Sequence, residues 1–392
     1  MIHDAVFVLL GIAVLPAALT VYAYALYPLL LWVVGLFPRR APRLETPREW
    51  PLISIVVPAY NEERAIRGTI ESLLALDYPE DRRQILVVSD ASNDRTDDIV
   101  REFESRGVDL LTLGVRSGKT AAENAAAGRL RGDIVVNTDA TIRILPGSLK
   151  PLIRAFVDDT VGVASGRDLS VGDIRVEATR GESRYVGYEM WLRSLETVCG
   201  SIVGASGCFY AIRRVLHQSL VPEALSRDFA SALIAREQGY RAVSVDEAVC
   251  LVPRSVSLGR EYHRKVRTMA RGLETLWYKR HLLNPFRYGR FAWMLASHKL
   301  SRWLIFLVAP FGLGSLALLS LESQAATVVL LIALGGILTG SIAMRWPEDR
   351  AMPRLIAICG FVLAACVAGF LAWMKALRGE RNPIWEPTRR AA

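Results

Sequence analysis

LISIVVPAYNEE at 52–63 and GDIVVNTDAT at 132–141 bracket the part of the chain whose reading decides the fold. The first opens with an apolar run, Leu52 to Val57, that stops at Pro58. A second run, Ile85 to Val88, stops at Ser89-Asp90, and a third, Ile134 to Val136, stops at Asn137-Thr138-Asp139. Each is short, β-branched and without polar alternation, as a strand buried on both faces of a parallel sheet should be. Helical periodicity separates them. Ile66, Ile70, Leu73 and Leu74 share one face of a helix near 63–76, and further helices are predicted near 95–105 and 119–130. With a short strand near 109–113, the order predicts a doubly wound α/β domain. Ligands of such sheets bind beyond the carboxyl ends of the strands. Those ends carry Tyr60, Asn61, Glu62, Asp90 and Asp139, so one rim gathers polar and acidic groups suited to a nucleotide and a metal.

The second half is less regular. A strand near 161–165 precedes an amphipathic helix near 177–197, and CFYAIRR at 208–214 reads as a strand running into a helix. Helix 227–238 ends at Gly239, a natural C-cap, and a strand follows at 241–245. Residues 260–300 are basic, amphipathic and rich in Trp and Tyr, a composition that lies at a membrane surface.

The hydrophobic fraction of 52% and mean hydropathy of +0.25 are concentrated in four uncharged stretches: 5–37, 303–321, 323–344 and 355–374. A crossing needs about 20 apolar residues, so each reads as a span. The first is too long for a signal peptide and for one simple crossing, so Pro16 or Pro28 kinks it or its end lies along the interface. The net charge of +9 does not imply a nucleic-acid partner. Arg39, Arg40 and Arg43 follow the first span, and Arg280, Arg287, Arg290 and Arg302 precede the second, in keeping with the positive-inside rule and a bilayer of anionic headgroups. The five cysteines are scattered, with no CxxC pair and no zinc spacing, so neither a disulfide framework nor a structural metal is inferred.

The chain therefore divides into a transmembrane segment (1–37), a Pro- and Arg-rich linker (38–50), a catalytic domain (51–258), a basic interfacial region (259–302), three transmembrane helices (303–376) and a tail (377–392). Charge bias places the amino terminus outside, the catalytic domain in the cytoplasm and both termini outside after four crossings of the cell membrane. The basic tail, with Lys375, Arg378, Arg381, Arg389 and Arg390, pulls the other way. Segment 303–321, with Pro310, Gly312 and Gly314, is the one most prone to be broken or re-entrant.

Two motifs fail on spacing. RSGKT at 116–120 resembles a phosphate-binding loop, but Gly114 and Gly118 leave three residues between them where that loop needs four. DASNDRTDD at 90–98 resembles a calcium loop, but Arg95 stands where the turn demands glycine. A lone Asp after a strand usually caps a helix. Asp90 and Asp139 at equivalent strand ends, with Glu62 beside them, point instead to a site for a divalent metal, Mg²⁺ or Mn²⁺, completed by diphosphate oxygens.

VVPAYNE, VVSDASNDRT, GKTAAENAA and GDIVVNTDA, followed by GASGCFYAIRR, SRDFASALIAREQGYRA and EYHRKVRTMARG, resemble the successive signatures of glycosyltransferase family 2. The match runs over about 52–280 in unbroken order, and the flanking spans and WEPTRR at 385–390 resemble membrane-bound members such as poly-N-acetylglucosamine, chitin and hyaluronan synthases. The resemblance implies a GT-A fold and inverting transfer from a nucleotide sugar, a UDP-sugar foremost. Pro58, Tyr60, Asn61 and Glu62 would border the nucleobase, with Asp90 near the uracil or ribose. Lys119 and Asn124 would lie near the nucleotide, and Asp139 would bind metal as the first residue of a DXD motif. Ser206 and Gly207 would line the acceptor side, and Asp228 would be the general base. Arg264 and Arg267 would add positive charge at the diphosphate, whereas Lys265 reads better as part of a membrane-facing stripe.

Three positions depart from the family pattern. Thr141 replaces the second Asp of DXD, Arg227 stands where an acidic residue often precedes the base, and Thr268 stands where processive synthases have the Trp of QxxRW. The acceptor expected is a growing exopolysaccharide or cell-envelope glycan, which leaves room for synthase or export partners. The alternatives are a single transfer to a polyprenyl phosphate or glycolipid, and a non-catalytic nucleotide- or glycan-binding subunit.

Overall fold

The computed structural model describes residues 2–37, 46–171, 180–253, 258–347 and 352–380. Arg39, Arg40, Arg43, Arg350, Arg381, Arg389, Arg390 and the WEPTRR segment, on which part of the topology argument rests, lie outside the described residues.

Eight strands form one sheet: β1 (Ile53–Ala59), β2 (Arg83–Ser89), β3 (Val108–Thr112), β4 (Ile134–Thr138), β5 (Arg143–Ile144), β6 (Val161–Val171), β7 (Phe209–Arg213) and β8 (Arg241–Pro253). Their order is β3-β2-β1-β4-β7-β6-β8-β5. Every residue of β1 is buried, because the strand is paired on both edges and covered on both faces. Ile53, Ile55 and Val57 face a core shared with Ile66, Ile70 and Leu73. Val56 faces the opposite core with Ala122 and Ala126. Each such side chain contributes about 1.5–3 kcal/mol on burial. A side chain at Gly132 would collide with the Ile53 and Ser54 backbone, and its N–H donates to Ser54 Oγ at 2.8 Å, so only glycine lets the chain enter β4 here.

The expected parallel, doubly wound order holds for β3-β2-β1-β4. It ends there. β7 pairs antiparallel with β4, Thr138 opposite Phe209, and antiparallel with β6. The sheet is therefore mixed. β6 and β8 are far longer than their predicted cores, and their pairing shifts register twice, between Val161 and Val163 and between Ser165 and Arg167. Exposed Asp246 and Glu247 interrupt the apolar pattern of β8, which is why its second half is not readable from periodicity.

Four helical segments are long and apolar enough to cross a membrane: Asp4–Gly35, Arg290–Leu319, Gln324–Met344 and Arg354–Arg378. The first is not sharply broken at Pro16 or Pro28; it continues through a π turn at Tyr22–Leu26 into helix Tyr27–Gly35. Its surplus length has a use. Tyr27 and Leu31 are buried against Leu192, Val203, Phe229 and Phe291, so the end of the segment docks on the α/β domain and on the start of the second apolar helix. Tyr27 donates its hydroxyl to Glu196 Oε1 at 2.7 Å, and His298 Nδ1 meets the same oxygen at 2.6 Å. Segment 303–321 is not interrupted at Pro310, which lies inside helix Ser301–Leu319. Gly312 serves packing there: an added Cβ would lie 2.7 Å from Pro16 Cγ of the first helix.

Candidate active site

Asp139 follows β4 and Gly207 lies two residues before β7, so the antiparallel pairing of these strands sets the two side by side. Helix Lys119–Ala126 points its first residue at them. Lys119 Nζ donates to Asp139 Oδ1 at 2.5 Å and to the Gly207 carbonyl at 3.0 Å. Burial pulls the Lys119 pKa down, but the carboxylates of Asp139, Glu123 and Asp228 outweigh it and hold the group above its ordinary value, as ammonium.

Asp228 sits in the first turn of helix Arg227–Glu237, where a carboxylate is favoured by the helix dipole. Ser226 Oγ donates to Asp228 Oδ1 at 2.5 Å. The other oxygen, Oδ2, lies against Gly207: a Cβ added there would be 2.9 Å from it. The glycine thus clears the space the carboxylate occupies. Asp139, Lys119, Gly207 and Asp228 form one continuous cluster at the rim.

The residues expected to border the nucleotide are gathered by two sewn loops. Asn61 takes a left-handed φ of 53°, and its Oδ1 accepts from Asn93 N at 2.9 Å. Glu62 N donates to Thr96 Oγ1 at 2.8 Å, and Glu63 N to Asp94 Oδ2 at 3.1 Å. Asp94 therefore ties loops and caps Thr96, which accounts for the motif that resembled a calcium loop. Pro58 is buried within β1 ahead of Tyr60. Asp90 is buried and accepts from Ser117 N at 2.7 Å and Gly118 N at 2.8 Å, which fixes the turn into the Lys119 helix. Arg116 stacks over the Tyr60 ring at 3.9 Å.

Ser206 Oγ donates to Asp168 Oδ1 at 2.6 Å, and the Ser206 N–H donates to Ser165 Oγ at 2.8 Å. Asn124 is spent on structure: its Nδ2 donates to the Val221 carbonyl at 2.8 Å and its Oδ1 meets Arg227. Arg227, the departure from the family pattern, is buried and turned inward to Asn124 and the His217 carbonyl. Arg264 and Arg267 lie on helix Leu258–Tyr278, seven and four residues before Arg271 and so on one face with it. Arg271 reaches Thr120 Oγ1 at 2.7 Å and the Leu225 carbonyl at 2.5 Å, just behind the cluster. Lys265 stands 3.5 Å from the centre of the Phe361 ring, on the fourth apolar helix.

Four contributors escape sequence reasoning: Glu123, Asp168, Arg116 and Arg271. Glu123 is 1% exposed, its Oε2 has no hydrogen-bond partner, and burial raises its pKa although Lys119 and Arg227 oppose the rise. Burial likewise raises the Asp168 carboxyl against the pull of Arg193 and Ser206. The i, i+4 spacing of Lys119 and Glu123 is the one signal that could have found the first.

Residues 54–221 match the sequence model described as Glycosyl transferase family 2. The beta-monoglucosyldiacylglycerol synthase of Synechocystis sp. is 28% identical over 173 residues, 42% of this chain and 36% of that protein. The hyaluronan synthase of Streptococcus pyogenes serotype M3 is 26% identical over 253 residues, 62% of this chain and 58% of that protein. The chain thus spans less than two thirds of the length of these relatives. A solved mannosyltransferase from Pyrobaculum calidifontis, in complex with GDP-Man and Mn²⁺, superposes with a TM-score of 0.70 at 21% identity, over 94% of this chain and all of that one. The fold is GT-A, with candidate membrane helices included in the superposition.

Proposed function

We infer, from a chain that carries a glycosyltransferase family 2 domain over residues 54–221, that the protein transfers a sugar from a nucleotide-sugar donor by inverting displacement at a membrane surface. The observation that carries this is the cluster of Asp139, Lys119, Gly207 and Asp228 at one rim of the sheet. The acceptor hydroxyl attacks the anomeric carbon as the bond to the diphosphate breaks. Asp228 takes the hydroxyl proton, and Ser226 orients its carboxylate. Lys119 offers a fixed ammonium to the departing diphosphate. Tyr60 with Arg116 stacked on it, and Asp90 behind the adjoining turn, would border the nucleobase, with UDP-sugars the leading donors.

Asp139 would hold a divalent metal, Mg²⁺ or Mn²⁺, which supplies further positive charge to the leaving group. Among the described residues no three His, Cys, Asp or Glu side chains converge there, so the protein offers few ligands, Asp139 first among them. That donor set fits a hard cation that takes its remaining oxygens from water and the diphosphate. Mn²⁺ in the mannosyltransferase of the same fold agrees with this choice.

A growing exopolysaccharide or cell-envelope glycan is the leading acceptor, and the named polysaccharide synthase among the relatives supports it. Thr268 in place of the QxxRW tryptophan favours the second reading, one sugar placed on a lipid, as the name of the glycolipid synthase suggests. The assembled cluster argues against a non-catalytic subunit. Product sizing tests the choice: membranes fed radiolabelled donor should yield label that grows in size with time. Label confined to a chloroform-soluble species of fixed mass would establish the lipid acceptor instead.

A further inference from the structure

At the opposite end of the sheet from the catalytic cluster, the amino ends of β6 and β8 meet the segment that leads into the second apolar helix. A cleft of about 660 Å³ opens between them. Four arginines line it: Arg236, Arg241, Arg287 and Arg290. Arg241 leans towards Asp158 at 3.7 Å. Arg236, Arg287 and Arg290 have no carboxylate within ion-pair distance among the described residues, and the Nε of Arg236 is buried without a hydrogen-bond partner. Arg236 and Arg287 stack on the Phe291 and Tyr288 rings at 5.8 and 5.5 Å, which leaves their charge uncompensated by any anion among the described residues. Gathered cations of this kind favour an anionic ligand, and guanidinium forks match phosphate oxygens.

The surroundings of the cleft are apolar on one side. Phe286 forms one lip and is 99% exposed. Cys199, on the wall, donates to the Leu31 carbonyl at 3.3 Å, which ties the cleft to the docked end of the first apolar helix. Trp32 and Phe37 of that end are exposed. A ligand with an anionic head and apolar tails matches both halves of this surface.

We propose that the cleft binds the phosphate of an anionic phospholipid headgroup, with the acyl chains lying along Phe286 and the end of the first helix. The proposal rests on the membrane-bound reading of the chain and not on sugar transfer. The bound lipid would clamp the rim of the catalytic domain that faces away from the active site onto the bilayer.

The test is lipid binding by the full chain in a neutral detergent, without any donor sugar. Dioleoyl phosphatidylglycerol, dioleoyl phosphatidylcholine and inorganic phosphate are titrated separately and followed by native mass spectrometry and calorimetry. Phosphatidylglycerol should bind saturably, and phosphatidylcholine and inorganic phosphate should not compete with it. Arg236→Gln with Arg287→Gln should weaken binding about thirtyfold, taking the surface contribution of two arginines. Arg345→Gln with Arg378→Gln removes the same charge beside other apolar helices and should leave binding unchanged. Arg287 is exposed, so Arg287→Glu keeps the fold and should by itself reduce affinity. Unchanged binding by Arg287→Glu, equal weakening in both double variants, or equal binding of phosphatidylcholine would overturn the proposal. So would inorganic phosphate binding as tightly as the lipid, which would mark a free-anion site.

Discussion

Lys119 and Asp139, 20 residues apart, meet at 2.5 Å across the rim of the sheet. Lysine thereby occupies one of the two Asp139 carboxylate oxygens. Two effects should separate on mutation. Asp139→Ala should abolish transfer, as should EDTA, with recovery on adding Mn²⁺. Lys119→Met should lower turnover by about 10²-fold, the range for a lost electrostatic donor, yet reduce the metal concentration needed for half-activation, because Asp139 is released. Metal titrations of both variants check this; turnover by Asp139→Ala in EDTA would remove the metal from the account.

Gly207 holds open the space beside Asp228 Oδ2. Gly207→Ala puts a methyl group where the carboxylate must move to avoid it, and a side-chain end can move. The variant should fold and bind donor normally while kcat falls by about tenfold or more, since small displacements of a base are costly. Circular dichroism, donor-binding calorimetry and steady-state rates test this together. Normal kcat would show that the position of Asp228 is not critical.

Glu123 carries a pH signature. Its folded-state pKa is raised above the ordinary 4.5 by burial, so the fold favours its protonated form. The stability this group contributes is full below about 4.5 and lost as pH rises through the folded value. Glu123→Gln cannot ionise and escapes that loss. Its thermal midpoint should match the wild type near pH 4 and exceed it progressively towards pH 8. A midpoint that falls relative to the wild type over that range would contradict the sign.

Topology is a separate question of charge. Four crossings with both termini outside leave residue 392 outside, against the pull of Lys375 and Arg378 at the end of the last helix. A cysteine at residue 392 should react with an impermeant reagent in intact cells. Reaction only after permeabilisation would require an odd number of crossings.

These tests also mark how far the sequence speaks. Val56, Val87 and Val136 lie in strands buried on both faces, where an unbroken β-branched run is the direct imprint of the environment. The parallel half of the sheet and its rim were therefore legible. Asp139 was legible as a carboxylate at a strand end, but Lys119 and Asp228 stood out only as a family resemblance, since nothing local in sequence tells that β7 returns beside β4. β5 is two residues long and leaves no periodic trace. Asn124 shows the opposite limit: its amide sits near the expected nucleotide loop in sequence but holds Val221 and Arg227 in space. The first apolar segment read as too long, and the reason, docking of Tyr27 and Leu31 on the domain, is tertiary.

The central claim is that Asp228 is the base of a glycosyl transfer. The most direct measurement is nucleotide release by the purified full chain over a panel of UDP-, GDP- and dTDP-sugars with Mn²⁺, for the wild type and Asp228→Asn. One donor should support acceptor-dependent release by the wild type. The variant should bind that donor equally and release nucleotide about 10²–10⁴-fold more slowly. Release by Asp228→Asn at the wild-type rate, or none from any donor by the wild type, would contradict the account.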